Sequence, residues 1–207
     1  MERVTLTHSG IEISRLGFGC AGLTGVGTHD DAVRLLETAF ERGVTHFDAA
    51  RMYGMGHAEG IVGRFLEGKR DRVTIATKFG MLPKGGALGK NKKLVGVVKS
   101  AIKRSSVLNK IVRRGMATAG TGSSPTGRFS PEDARSSLET SLRELGTDRV
   151  DMLLLHNCDF EHTQREDLIA WLEDRVREGT VRAFGPSTTH DRLPEDLTQL
   201  TSRGSQT

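Results

Sequence analysis

THFDAARMYGMGHAEGIVGRFLEGKRDRVTIATKFG, residues 45–80, holds the pattern on which the fold turns. A short apolar run (THFDAA) leads through a glycine-punctuated loop into a segment with apolar residues at helical spacing (HAEGIVGRFLEG). A second run, RVTIATKFG, is rich in β-branched residues. Strand, helix, strand at these lengths is a βαβ unit, whose strands are predicted to lie parallel with a right-handed crossover. In the second strand Thr74, Ala76 and Lys78 share one face, and Val73, Ile75 and Thr77 the other. The strands are apolar on both faces, as parallel strands covered by helices must be.

The same order extends in both directions. Upstream, RVTLTHSGIEIS (3–14) reads as a hairpin turning at Ser9-Gly10, and LGFGC (16–20) as a short strand. THDDAVRLLETAFERGV (28–44) reads as a helix capped by Thr28, with Asp30 and Asp31 in its first turn. Val33, Leu35, Leu36 and Phe40 form its expected core stripe, and Gly43 stops it. Downstream come a helix (130–146) with Ser130 as cap and Pro131 at its first position, a strand (149–157), a helix (166–179) and a strand (180–187). Five strands alternating with helices predict an α/β fold, either an open doubly wound sheet or part of an eight-stranded barrel. The glycines at 17, 19 and 22 match the dinucleotide fingerprint G-x-G-x-x-G by letter. Gly17 and Gly19 lie inside the strand, however, and no helix begins before about residue 29, which argues against that reading.

Charge is unevenly spread. Residues 81–128 contain 11 Lys and Arg and no acid, leaving 19 of the 30 basic residues against all 26 acidic ones elsewhere, a balance of −7. The net charge of +4 therefore comes from a basic insert in an acidic body, and no nucleic-acid partner is expected. Within the insert, LVGVVKSAIKRSSVLNKIVRRG (94–115) has the pattern of a basic amphipathic helix, read as a lid packed on the body. The chain, 1–207, is expected to be a single domain carrying this insert. No run approaches the ~20 apolar residues of a membrane helix, and the first ten residues lack the apolar core of a signal peptide. Two cysteines, Cys20 and Cys158, make no disulfide framework and no zinc-type spacing, so a cytoplasmic setting without a metal is expected.

Polar residues recur where strands end. The first strand ends in Cys20, the second in Asp48 with the chain's single tyrosine, Tyr53, in the loop beyond, the third in Lys78, the fourth in His156 and the fifth in Ser187. Active sites of parallel β/α folds lie at this edge. Taken singly, Asp48 reads as a turn cap, Lys78 as a snorkelling surface lysine, His156 as a core histidine and Tyr53 as a loop aromatic. Together they make a set that can protonate a carbonyl oxygen. An ammonium within about 4–6 Å of a phenol favours the phenolate, an aspartate holds the ammonium, and an imidazole bonds the substrate oxygen. No side chain in the set is an obvious nucleophile for the carbonyl carbon, so a cofactor must supply one.

On GVTHFDAARMYG, HAEGIVGRFL, VTIATKFG, SPEDARSSLETSLRELGTDRVDMLLLHNCD and VREGTVRAFGPS, the sequence resembles the aldo-keto reductase family. The resemblance implies a (β/α)8 TIM-type barrel whose bottom is plugged by the N-terminal hairpin. It implies NAD(P)H-dependent reduction of an aldehyde or ketone, with NADPH the usual cofactor and NADH the alternate. Tyr53 would be the proton donor, Lys78 paired with Asp48 would activate it, and His156 would orient the small-molecule carbonyl substrate. The cofactor side of the site would fall at Cys20, Asp48, Ser187 and Thr188. Two features depart from the family pattern. Thr188 stands where the family has an asparagine, after a Pro186 that removes a backbone donor. The length accommodates about five of the eight β/α units, so the barrel is expected to be incomplete and truncated, with self-association through its unclosed edge. The other readings are a non-catalytic NADPH-binding or regulatory module, an inactive fragment, and a class I aldolase using Lys78 as a Schiff base. The last conflicts with an aspartate-paired, protonated lysine.

Overall fold

The computed structural model describes residues 1–82 and 127–188. The helix expected at 94–115, and with it the lid reading of the insert, lies outside the described residues. Strands β1 (Arg3–Thr5) and β2 (Glu12–Ser14) form the expected antiparallel hairpin, with Arg3 opposite Ser14. The hairpin is pinned to the body through Ser14. Its Oγ accepts from the backbone N–H groups of Thr45 (2.9 Å) and His46 (3.2 Å), and its own N–H donates to Thr45 Oγ1 (3.1 Å). It therefore sits at the N-terminal end of the strand that begins at His46.

Five strands follow: β3 (Gly17–Gly19), β4 (His46–Asp48), β5 (Thr74–Phe79), β6 (Val150–His156) and β7 (Val181–Ser187). All pair in parallel, each beside its predecessor, in the order β3-β4-β5-β6-β7. This order separates the two α/β alternatives. A doubly wound sheet reverses its strand order at a switch point, and the described sheet has none. Right-handed crossovers that always step the same way place every helix on one face and leave the other as a barrel interior. Helices α1 (His29–Glu41), α2 (Ala58–Leu66), α3 (Pro131–Leu145) and α4 (Glu166–Arg177) cover that single face. Leu36, Phe65, Leu138, Leu168 and Leu172 pack there with Phe47, Ile75, Leu153 and Leu155 of the strands. The Phe47 and Phe65 rings lie 4.8 Å apart. On the opposite face Met152, Leu154 and Ala183 are only half-buried. Five strands do not close a barrel, and β3 and β7 are its edges among the described residues.

Helix starts follow local chemistry. Thr28 and Asp31 form a reciprocal capping box on α1. Ser130 Oγ accepts from Asp133 N–H on α3, with Pro131 in the first turn and Gly146 left-handed at its end. Three details differ from the sequence reading. Leu35 is 37% exposed and lies off the packed face of α1, where Ala32 and Leu36 are buried and Val33 and Phe40 pack partly buried against the same core. Strand β3 ends at Gly19, so Cys20 opens a 3₁₀ segment (Cys20–Gly25) instead of closing the strand. Strand β5 continues one residue past Lys78 to Phe79. Pro186 lies opposite Leu155 in edge strand β7, where a missing N–H is tolerated.

Candidate active site

Register builds the site as a staircase. Paired residues on parallel neighbours face the same side. Asp48 pairs with Ala76 and Ala76 with Met152; Lys78, one step higher, pairs with Leu154; His156, another step up, pairs with Ser187. Three adjacent strands thus raise an acid, an ammonium and an imidazole in turn towards the C-terminal edge of the uncovered face. Ala76 beneath Lys78 leaves room for the lysine stem.

Lys78 is 4% exposed. Its Nζ donates to Asp48 Oδ1 (2.5 Å), Ala49 O (3.0 Å) and Tyr53 Oη (3.1 Å), which occupies all three ammonium protons. It also lies 4.6 Å from the centre of the Tyr53 ring. With all three donors engaged in this way, Nζ presents no free lone pair to a substrate carbonyl, which argues against a Schiff-base aldolase.

Tyr53 arrives from the loop after β4. Its N–H donates to Ala50 O (3.0 Å), and it opens a 3₁₀ turn in which Gly54, Met55 and Gly56 all have positive φ. Gly54 is required twice over. Its φ is +58°, and a Cβ there would sit 2.4 Å from Thr24 Cγ2. Met55 adopts the same left-handed region without glycine's freedom, at a cost of about 1 kcal/mol or more.

His156 is 6% exposed and meets Tyr53 edge-on, with ring centres 5.7 Å apart and planes at 89°. Burial, reinforced by the Lys78 charge and opposed by Asp48, pushes its pKa down to about 4. It is therefore a neutral imidazole near pH 7, donor on one nitrogen and acceptor on the other. Its Nδ1 is buried with no hydrogen-bond partner among the described residues. Ser187, half-buried, stands beside it on β7, with its carbonyl accepting from Asn157 N–H (2.7 Å); Thr188 follows directly. Cys20 is fully buried, and its thiol is pushed up to about 12 by burial and then by Asp48, with Lys78 opposing. It is an inert packing thiol at neutral pH.

The structure thus gathers Asp48, Tyr53, Lys78 and His156 in one cluster, sets Ser187 beside His156, and buries Cys20 in the core. Sequence reasoning missed two buried acids. Glu59, 1% exposed, is bonded to Arg51 and Thr77. Asp151, 2% exposed, accepts from Ile75 N–H, Arg70 and Arg182. Both left a signal: Glu59 shares a helix face with Val62 and Leu66, and Asp151 shares a strand face with Leu153 and Leu155.

A one-way wound β/α sheet with a phenol, ammonium, carboxylate and imidazole at the C-terminal edge defines a barrel-type enzyme architecture. Comparison with known proteins gives the family. The model of the Aldo/keto reductase family matches residues 15–197, and the chain belongs to that family. It is 30% identical over 192 residues to a probable aldo-keto reductase 1 from Glycine max, covering 90% of this chain and 45% of that protein. It is 38% identical over 84 residues to a pyridoxal 4-dehydrogenase from Microbacterium luteolum, covering 39% of this chain and 25% of that one. Among solved structures, an aldo-keto reductase from Bacillus halodurans in its holo form superposes with a TM-score of 0.67 at 24% identity, over 96% of this chain and 54% of that one. The chain therefore spans about half the length, or less, of the relatives it matches. Among the described residues no helix is long and apolar enough to cross a membrane.

Proposed function

We propose that this chain carries the proton-donor side of a carbonyl-reducing site, in which an aldehyde or ketone becomes an alcohol with Tyr53 as general acid. The observation that carries this reading is the Tyr53 Oη held 3.1 Å from a buried ammonium, with a neutral imidazole perpendicular to its ring and 5.7 Å from its centre. As the carbonyl oxygen gains negative charge, Tyr53 gives it a proton, and Lys78 stabilises the charge left on the phenol oxygen. Asp48 holds the Lys78 ammonium in place. His156 donates one hydrogen bond to the substrate oxygen and so sets the direction of proton transfer. A reduced nicotinamide cofactor, NADPH in preference to NADH, supplies the hydride when bound.

The residues present fit the nicotinamide end of such a cofactor. Gly19 and Gly185, on the uncovered face, have nothing within 4 Å of where a Cβ would lie. The hydroxyls of Ser187 and Thr188 can both donate to and accept from a carboxamide.

Fluorescence titration of the purified chain with NADPH, followed by an aldehyde screen, tests the reading. Saturable binding and turnover are expected, and Tyr53→Phe should lower kcat by at least ~100-fold. Binding with turnover that ignores Tyr53→Phe would favour the regulatory-module reading. No binding up to about millimolar cofactor, together with non-cooperative unfolding, would favour the inactive fragment.

A further inference from the structure

We infer that Arg51, Glu59 and Thr77 form a positioning clamp, placed behind the sheet, that sets Tyr53 at its working distance from Lys78. The inference rests on the reading of Tyr53 and Lys78 as the proton-donor pair, and it adds three residues that do not touch the reacting atoms. Glu59 lies in the first turn of α2 and is 1% exposed. Its Oε1 accepts from Thr77 Oγ1 at 2.6 Å, and its Oε2 accepts from Arg51 Nη1 at 2.8 Å. Thr77, fully buried, is the residue before Lys78 and points to the opposite face of β5. Arg51, in the loop after β4, is two residues before Tyr53. One carboxylate therefore ties the strand bearing the ammonium to the loop bearing the phenol. The path from Lys78 through Thr77, Glu59 and Arg51 to Tyr53 is closed into a ring by the 3.1 Å contact between Lys78 and Tyr53.

Two features indicate that this connection serves geometry and not packing alone. A carboxylate at 1% exposure is unfavourable unless fully paired, and an apolar residue would fill the same face of α2 without that penalty. Moreover, the turn beyond Tyr53 runs through three successive positive-φ residues, Gly54 to Gly56, two of them glycine. Glycine-rich backbone restrains its neighbours weakly, so the restraint on the Tyr53 backbone comes mainly from the preceding segment, through Arg51 and the Tyr53 N–H bond to Ala50 O (3.0 Å). Arg51 accepts an imperfect environment to provide it, because its Nε is buried without a partner among the described residues.

The chain's single tyrosine makes the test direct. With tyrosine labelled at the ε ring carbons only, the full chain gives one ε carbon–proton cross-peak in an NMR spectrum. Its position reports the neighbouring His156 ring and the Lys78 charge, whether or not the protein turns over. Thr77→Val removes the hydroxyl at nearly constant volume, Thr77→Ser keeps it, and Glu59→Gln keeps an acceptor for Thr77 while weakening the hold on Arg51. The expected result is a displaced Tyr53 peak in Thr77→Val and Glu59→Gln, restored in Thr77→Ser. In the kinetics, kcat should fall about 10- to 100-fold, the scale of a displacement near 1 Å, with KM for the carbonyl unchanged. Should Thr77→Val fail to fold, the comparison of Glu59→Gln with wild type decides the matter. A folded variant whose Tyr53 peak stays in place overturns the clamp. A peak that moves in a chain without reductase activity upholds the clamp and refutes the proposed function instead.

Discussion

Replacing Lys78 by methionine keeps the unbranched stem, one atom shorter, and removes the ammonium. With the ammonium 3.1 Å from Tyr53 Oη, a full negative charge on that oxygen would be stabilised by about 5 kcal/mol at an effective dielectric constant near 20. Only part of that charge exists in the transition state, and Asp48, bonded to the same ammonium, offsets another part. A net contribution of about 3 kcal/mol remains, which corresponds to a loss of roughly 100-fold in kcat. Stability should change little. The residue left behind, Asp48, has a side chain 36% exposed and can be solvated, so the usual penalty for orphaning a buried charge is largely avoided. Cofactor consumption with the best aldehyde of a panel, alongside urea unfolding, measures both quantities. A folded Lys78→Met enzyme with wild-type kcat would refute the electrostatic account of Tyr53, and a variant that unfolds would refute the solvation argument for Asp48.

Gly54→Ala should cost about 1–3 kcal/mol from positive φ and from crowding Thr24; the double variant with Thr24→Ala should recover only the crowding part, and full recovery in the unfolding midpoint would show that φ is unimportant. Asp151→Ala strips an acceptor from Ile75 N–H (2.8 Å) and a partner from Arg70, 14% exposed, so a loss of about 3–5 kcal/mol in urea unfolding is expected; a negligible loss would mean water replaces the carboxylate. The folded pKa of His156, about 4, lies below its ordinary 6.5. As pH falls through 6.5 the unfolded chain therefore takes up the proton first, and stability drops by about 3 kcal/mol by pH 4. His46, also lowered by burial, acts in the same direction. Urea midpoints at neutral and acid pH should fall less steeply in His156→Gln than in wild type, and parallel curves would remove His156 from that role.

The parts legible in the sequence were those governed by short-range periodicity. Strand and helix order, the Thr28 and Ser130 caps, and the alternation of Thr74, Ala76 and Lys78 against Val73, Ile75 and Thr77 need only neighbouring residues. The choice between an open sheet and a barrel did not, because strand order is a long-range property; the monotonic order of β3 to β7 settled it. Leu35 failed because it lies to one side of the face on which Leu36 is buried and Val33 and Phe40 pack, a difference that apolar lettering alone does not show. Glu59 and Asp151 were passed over because a charged letter in an apolar pattern reads as noise until its partners are known, and Arg51, Arg70 and Arg182 lie 8, 81 and 31 residues away.

The electrostatics of the cluster explain why these four residue types occur together. The ammonium of Lys78 acts on two neighbours at once. It sits against the phenol oxygen that the proposed reaction would deprotonate, and its charge helps keep His156 neutral. A charged imidazole beside Lys78 would place two cations next to Tyr53 in a site with few solvent contacts. A neutral one can still donate to the substrate oxygen without adding to that repulsion. Asp48 then has a defined electrostatic role. It balances the single buried cation, and its partial exposure keeps its charge near water while Lys78 stays dry. Because the three side chains rise from adjacent strands in fixed register, this balance depends on β4, β5 and β6 together with the loop that delivers Tyr53.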